Sequence, residues 1–417
     1  MSVFSDYFER CFPFKTIKAT RNIIRKPWMT PGLIKSCKKK HKLFSKFKSN
    51  PTEHRERKYK TYRNRLNQLV RTAKKRYFEE KLTEAKSDLK LTWKVIKEAL
   101  NKPKATTNYP SEFHFQGKNF NESENIANQF NEYFSKIGLS LDAIIPNTHP
   151  DFRIFLDSRI YPHLKLYPAT ETEVNEIICS LKSSNMSSGH DHIPTFLIKA
   201  LREIISLPLS QIINISMEEG SFPDSLKIAK VVPIYKAGDA SSFSNYRPVS
   251  VLPAFSKIFE KVMYNRLLTH LTDNNILSPS QFGFRAGHST SHAILYLVDQ
   301  ITRAIDRREM TIGVFLDLSK AFDTVNHTIL LHKLQHYGIS GTALRWFDSY
   351  LLNRKQYVKY NHANSEFETI SCGVPQGSIL GPLLFYYTST IFPMSVLFYT
   401  QYFLQMIPTY FFLITAL

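Results

Sequence analysis

Positive charge is segregated along this chain, and the segregation decides which stretch can supply a core. Residues 1–104 contain 30 Lys/Arg and 9 Asp/Glu, while the remaining residues are balanced at 25 and 26, so the whole formal charge of +20 lies in the first quarter. With 417 residues, 43% of them hydrophobic, the chain can bury a sizeable core and is expected to form two or three domains rather than stay disordered. A basic excess of this kind attracts polyanions, because each neutralised phosphate releases counterions. Nucleic acid is the partner this implies, against the plainer alternative of a solvated helical surface. Cys11, Cys37, Cys179 and Cys372 are too scattered for the paired spacing of a zinc site and outline no disulfide framework, which fits a reducing compartment. No secretory signal is expected, since the apolar run Phe12-Pro13-Phe14 is short and flanked by charge.

Apolar residues at Tyr59, Tyr62, Leu66, Leu69, Val70, Ala73 and Tyr77 predict an amphipathic helix over 59–82, with Arg63, Arg65, Arg71, Lys74 and Lys75 on its other faces. That helix is either a solvated face packed on the next domain or an RNA-contacting arm. Residues 102–110, polar with two prolines, read as a linker. A helix over 123–137 follows with Ser123 as N-cap, and another opens at Thr170, with Glu173 three residues on as in a capping box. Helical periods run from Ile193 to Met217, Lys230 to Tyr235 reads as a strand, and Gly238-Asp239 as a turn. Helices over 256–271 and 290–307, with a loop around Pro279 between them, lead into a strand over 311–316.

Four stretches carry chemistry. Thr311 to Asp317 alternates so that a buried strand ends in a carboxylate able to reach a metal. Lys230-Val231-Val232-Pro233-Ile234-Tyr235-Lys236-Ala237-Gly238-Asp239, with Asn245-Tyr246-Arg247-Pro248-Val249-Ser250 after it, and Gln281-Phe282-Gly283-Phe284-Arg285 set cations close to glycine-flexed loops, where they can grip phosphate. In Gly373-Val374-Pro375-Gln376-Gly377-Ser378 the glycines let backbone approach a partner closely.

In this order and spacing the four motifs resemble the reverse transcriptases of LINE-type, non-LTR, jockey-like retrotransposons, in a truncated copy. The resemblance covers roughly residues 8–385 and is firmest from Lys230. It includes Lys26-Pro27-Trp28-Met29-Thr30 and the basic stretch after it, which joins an endonuclease to the polymerase in that family; no endonuclease is expected ahead of it here. The implied fold is α/β, with the fingers and incomplete palm of a right-hand polymerase as helices on an antiparallel sheet, preceded by a basic helical region. The implied division is a basic helical region over 1–104, a helical polymerase extension over 105–229, fingers and partial palm over 230–385, and an out-of-frame tail over 386–417.

The implied activity is RNA-directed DNA synthesis, with an RNA template, a DNA primer and deoxynucleotides as partners, no specific membrane partner, and a cytoplasmic or nuclear location. By the same resemblance Asp317 is the catalytic aspartate and a Mg2+ ligand, and Phe322 is the bulky residue under the sugar that excludes ribonucleotides. Lys236, Arg247 and Arg285 grip the triphosphate. Gly373, Pro375, Gln376 and Gly377 contact the template, and Gln376 also touches the nucleotide. Asp323 and His327 are expected to cap or brace the segment that follows them. Ser188-Gly189-His190-Asp191-His192-Ile193-Pro194 resembles an N-terminal polymerase segment that forms a turn, so its histidines and aspartate are not expected to hold a metal.

A pair of divalent metals needs carboxylates from at least two places on the fold. The paired aspartates that the family carries after Phe385 are missing, and Tyr386 to Leu417 contains no Asp or Glu. Joining the last nucleotide of each codon to the first two of the next lets Tyr387 to Ile391 spell Tyr-Ile-Asn-Asp and Phe403 to Thr409 spell Phe-Ala-Asp-Asp-Thr-Asn. At Met406-Ile407 there is no freedom, because ATG followed by AT gives GAT, an aspartate codon. A frameshift near Phe385 and an incomplete Mg2+ site are therefore expected, which makes the chain an inactive polymerase; the alternative is a non-catalytic nucleic-acid-binding remnant. The competing reading of the tail, a membrane helix, is opposed by Pro393, Pro408, Gln401 and Gln405.

Overall fold

The computed structural model describes residues 2–13, 26–100, 109–144, 151–182, 188–277, 281–318, 320–389, 402–406 and 409–416. They form two compact units, Pro13–Tyr109 and Met1–Phe12 with Pro110–Leu417. The expected linker falls largely on 101–108, and the loop around Pro279 on 278–280, both outside the described residues. Helix α1 (Ser2–Cys11) belongs to the larger unit, where Phe4 meets Phe255 edge-on at 5.3 Å.

The smaller unit consists of helices α2 (Pro31–Ser49), α3 (Glu53–Glu84) and α4 (Leu89–Ala99). Thr30 starts α2: its hydroxyl accepts from Leu33 N at 3.3 Å, with Pro31 pre-set at the first helical position. Phe44 and Phe47 of α2 pack on Tyr59 of α3 at 5.2 and 6.3 Å. Along α2, Lys35, Lys38, Lys39, Lys42 and Lys46 recur at helical spacing, all exposed, Lys39 with its Nζ 5.4 Å from the Tyr62 ring of α3, and α2 holds no acidic residue. Cations of α3 are compensated along the helix by Glu53–Arg57, Glu56–Lys60, Lys75–Glu79 and Arg76–Glu80 pairs.

In the larger unit a hairpin of β1 (Phe113–Phe115) and β2 (Lys118–Phe120) precedes α5 (Ser123–Asp142). Glu122 rather than Ser123 occupies the cap position of α5, because the chain is still extended there and turns helical one residue earlier than the cap rule placed it. Helix α6 (Glu171–Ser180) does begin at Thr170, whose hydroxyl accepts from Glu173 N at 3.1 Å; the Glu173 carboxylate pairs with Arg266 instead of reaching back. Next come α7 (Thr195–Ala200), α8 (Arg202–Glu219), β3 (Ile228–Tyr235), β4 (Tyr246–Val251), α9 (Ala254–Asp273), α10 (Thr290–Asp306) and β5 (Met310–Asp317). The chain continues through α11 (His327–His336), α12 (Gly341–Leu351), β6 (Arg354–Tyr360), β7 (Ala363–Asn364), β8 (Glu368–Ile370), α13 (Gly381–Ser389), β9 (Tyr402–Met406) and β10 (Thr409–Ala416).

One sheet has the order β4-β3-β6-β7, with β8 also on β6, and its β3–β6 pair is parallel. The antiparallel sheet expected from the resemblance is thus a mixed one: more than a hundred residues, several of them helical, separate β3 from β6, enough for the chain to return in the same direction. Of the tail, residues 386–389 end α13, and the other described residues, 402–406 and 409–416, are strand. Its β10 lies antiparallel between β5 and β9, and no helix among the described residues is long and apolar enough to cross a membrane. Helix α9 is part of the core, with Phe255, Ile258, Phe259, Val262, Met263, Leu267 and Leu271 buried and Lys261, Tyr264 and Leu268 half-buried on another side. A helix buried over most of its circumference is wrapped by other elements, and its buried polar residues tie them to it. Arg266 binds Glu173, and His270 Nε2 lies 2.7 Å from Tyr337 O.

Candidate active site

Asp317 ends β5, with Thr409 of β10 opposite it in the register and Met406 of β9 opposite Thr409. Three residues on, Lys320 adopts the left-handed region with φ of 53°. Its carbonyl accepts from Asp323 N at 2.8 Å, closing a tight turn that presents Phe322 and Asp323. Phe322 sits between Phe284 and Phe385, with ring centroids 5.8 and 5.0 Å away.

Asp323 does not cap α11, since Asn326 does so by accepting from Ile329 N at 3.1 Å. Both Asp323 oxygens instead accept from Nε2 of Gln376, at 2.9 Å each. The donor end of that amide is therefore committed to the protein, and the amide oxygen is the group a ligand can meet. His327 braces rather than caps, its Nε2 lying 2.8 Å from Gly373 O.

The 373–381 turn is stitched to three separate elements. Gly373 N and Val374 N donate to Val325 O and Phe322 O, both at 2.8 Å, and Ser250 N of β4 donates to Gln376 O at 2.7 Å. From α9, Glu260 accepts from Ile379 N at 2.6 Å and Leu380 N at 3.4 Å. Glycine is obligatory at Gly377, where φ is 124° and an added Cβ would stand 2.4 Å from Ser250 O. Gly373, Pro375 and Gln376 line one small cavity together with Asp323, Cys372 and Arg354.

The cations come from the β3–β4 hairpin. Ile234 pairs with Arg247, and Lys236 N donates to Asn245 O at 2.9 Å, so alternation puts the exposed Lys236 and Arg247 on one face as diagonal neighbours. The loop between them is fixed by Gly238, with φ of 91°, and by Asn245 Nδ2 donating to Asp239 O at 2.9 Å. Lys320 joins this face, its Nζ 3.4 Å from Ser244 O. Arg285 lines a second cavity, of about 260 Å³, with Lys261, Tyr264, Gln281, Leu383 and Tyr386. Segment 188–194 closes a turn through a Ser188–Pro194 bridge, and no group of three or more His, Cys, Asp or Glu suited to a metal occurs among the described residues.

Lys320 and Glu260 were beyond the reach of local sequence pattern. Lys320 lies between Asp317 and Phe322, where one lysine among many gives no signal until the left-handed turn is seen. Glu260 lies on a helix whose period shows only apolar residues, and its partners are 119 and 120 residues away.

Burial pushes the Asp323 carboxyl up to about 6, against the opposing pull of Gln376 and Lys320. In a carboxyl raised above its ordinary 3.8, the folded state holds the proton longer than the unfolded chain does, so its contribution to stability falls as pH rises between about 4 and 6. Asp323→Asn keeps an acceptor for Gln376 and removes that loss. The variant should match the wild type near pH 4 and exceed it by on the order of 1–3 kcal/mol at pH 7. Urea denaturation at the two pH values reads the difference, and a variant no more stable at pH 7 than at pH 4 relative to wild type would contradict it.

Residues 234–400 match the family described as reverse transcriptase (RNA-dependent DNA polymerase). The probable RNA-directed DNA polymerase from transposon BS of Drosophila melanogaster is 35% identical over 247 residues, 57% of this chain and 26% of that protein. The RNA-directed DNA polymerase from mobile element jockey of the same fly is 33% identical over 232 residues, 55% of this chain and 25% of that protein. By these matches residues 234–400 resemble a reverse transcriptase domain, and the chain is similar to the RNA-directed DNA polymerases of non-LTR retrotransposons. It spans about a quarter of the length of these relatives. A solved structure, apo telomerase from Candida tropicalis truncated from its C-terminal domain, aligns with it at a TM-score of 0.34 and 13% identity, over 56% of this chain and 52% of that one. The reverse transcriptase match begins on β3 and includes every motif from Lys236 to Gln376 described above.

Proposed function

We propose that this chain is a reverse transcriptase relic that keeps a nucleic-acid-binding surface and has lost DNA synthesis. In this reading residues 230–385 are fingers and a partial palm, 1–104 the basic region, 105–229 a helical extension, and 386–417 an out-of-frame tail. Gln376, held by Asp323, meets the template base pair with Gly373, Pro375 and Gly377. Phe322 closes the sugar pocket, and Lys236, Arg247 and Arg285 hold the triphosphate. The observation that carries the loss of chemistry is the strand beside Asp317: β10 and β9, which stand where a second carboxylate has to come from, contain no acidic residue. The residues present do not fit a pair of Mg2+ ions, so no catalytic step is assigned. A purified chain that extends a primer on RNA, in a reaction abolished by Asp317→Ala, overturns this half of the reading.

Retained binding is supported by the uncompensated lysine stripe of α2. Replacing Lys35, Lys38, Lys39, Lys42 and Lys46 with Gln should weaken single-stranded RNA binding and flatten its salt dependence, the log–log slope shrinking by about 0.7 for every phosphate left without its lysine. Fluorescence anisotropy across a salt series measures it. An unchanged slope would place the RNA-binding cations elsewhere and favour a grip by the fingers alone.

A further inference from the structure

We infer that the outward face of α8 is a self-association surface, on which a second copy of this chain docks its own α8 antiparallel across a two-fold axis. The inference is independent of the nucleotide and RNA readings above, since it uses none of their residues.

The first ground is an unpartnered apolar face. From Ile204 to Met217 the helix carries no charged residue. Its inner side is fixed: Leu209, Ile213 and Met217 are buried, Asn214 Nδ2 donates to Ala169 O at 3.0 Å, and Trp346 Nε1 donates to the Ser216 hydroxyl at 3.0 Å. The helix therefore cannot roll to hide its other side. There Ile204, Leu207, Ile212 and Ile215 are between 48% and 73% exposed, with Pro208 and Gln211 exposed between them. Single exposed aliphatics are ordinary, but four on one helical stripe with no charge among them form a continuous patch of the kind that marks an interface.

The second ground is symmetry. Ile204 and Ile215, and inside them Leu207 and Ile212, lie at equal distances on either side of the midpoint between Leu209 and Ser210. A two-fold axis through that midpoint, at right angles to the helix, sets Ile204 of one copy on Ile215 of the other, and Leu207 on Ile212. The patch is thus complementary to itself, as an isologous interface requires. Gln211 falls beside the axis, where an amide that both donates and accepts can pair with its own copy.

Charge selects the antiparallel arrangement. Helix α8 ends in Glu218 and Glu219 and begins at Arg202, which is paired with Glu203 at 2.8 Å. Antiparallel docking brings each acidic end to the N-terminus of the other helix, whose dipole favours negative charge, while a parallel pair would stack the glutamates of both copies. No lysine or arginine lies between Glu203 and Glu219, so a nucleic-acid backbone has nothing to hold on this face. One helix pair is a small interface, and the dimer is accordingly a weak one that dissociates on dilution.

The test is sedimentation equilibrium of the nuclease-treated full chain in about 0.15 M salt, so that no shared nucleic acid bridges two basic molecules. Wild type should show a reversible monomer–dimer equilibrium with a Kd on the order of 10 μM. Ile212→Glu should weaken it by about tenfold or more with an unchanged melting temperature, because the site is exposed. Leu207→Lys should do the same alone. Mixing the two variants should restore a dimer within about threefold of wild type, since the antiparallel register places the new lysine against the new glutamate. The inference is overturned if wild type stays monomeric at about 100 μM, roughly ten times that Kd. It is also overturned if Ile212→Glu dimerises as wild type does, or if the mixture stays monomeric. Flotation with phosphatidylcholine vesicles is the second arm: monomeric wild type that floats, with Ile212→Glu left behind, would give the face to a lipid surface and not to a second copy.

Discussion

Given an RNA template, a DNA primer, magnesium and deoxynucleotides, the purified chain will incorporate no more nucleotide than its own Asp317→Ala variant. Two-metal catalysis of phosphoryl transfer supplies several kcal/mol of barrier lowering, and each 1.36 kcal/mol is a factor of ten in rate. Without a second carboxylate the expected deficit is therefore about 10⁴-fold or more. Thr409 stands opposite Asp317, and Met406 opposite Thr409, so neither neighbour in the register can ligate a hard cation through a carboxylate. The codon junctions that can spell the missing pair, 405/406 and 406/407, involve the last residues of β9, whose Met406 pairs with Thr409 of β10. A restored reading frame would put a carboxylate next to Met406, the residue paired with Thr409 opposite Asp317. Sequencing the gene decides this point: the Gln405 codon must end in G, and an A there removes the second aspartate and the frameshift explanation with it.

Glu260→Ala should cost on the order of 3 kcal/mol, since it leaves buried hydrogen-bond donors without their acceptor at about 1–3 kcal/mol each. Glu260 is 0% exposed on α9, and its oxygens accept from Ile379 N, Leu380 N and the Ser256 hydroxyl. Arg354, 1% exposed, is the positive charge facing it, and its Nε and Nη2 have no hydrogen-bond partner. Removing the carboxylate strands two backbone donors, which are expensive to bury unpaired, and takes away the negative charge near that guanidinium. The same carboxylate pins the start of α13, so the turn carrying Gln376 should loosen together with the core. Glu260→Gln keeps one acceptor and should recover part of the loss. Urea denaturation of the three proteins, with RNA binding measured on each, checks both effects. An alanine variant as stable as wild type would mean that Glu260 is not the brace of this turn.

The strand over 311–316, the helix over 290–307 and the Thr170 cap could be read from local pattern alone, because periodicity and capping depend on residues within a few positions of one another. Cap placement at α5 failed by one residue for the same reason: a serine satisfies the rule whether or not the chain is still extended there. Motif order gave the reverse transcriptase resemblance, the set of site residues and the carboxylate shortage, all of which are statements about identity along the chain. Pairings between distant residues were not legible. Nothing local says that Asp323 spends both oxygens on Gln376, 53 residues on, instead of capping α11, or that Glu260 reaches across 119 residues to hold Ile379.

The sequence by itself determined which chemical groups this protein possesses, where its positive charge lies and which carboxylates it lacks. Only the tertiary structure decided which of those groups meet. It made the sheet mixed, placed an acid-free strand beside Asp317, and brought Lys320 to the face of Lys236 and Arg247. The physical reason is that identity and period are properties of the chain, while burial, hydrogen-bond partners and charge proximity arise only when distant segments compete for the same space.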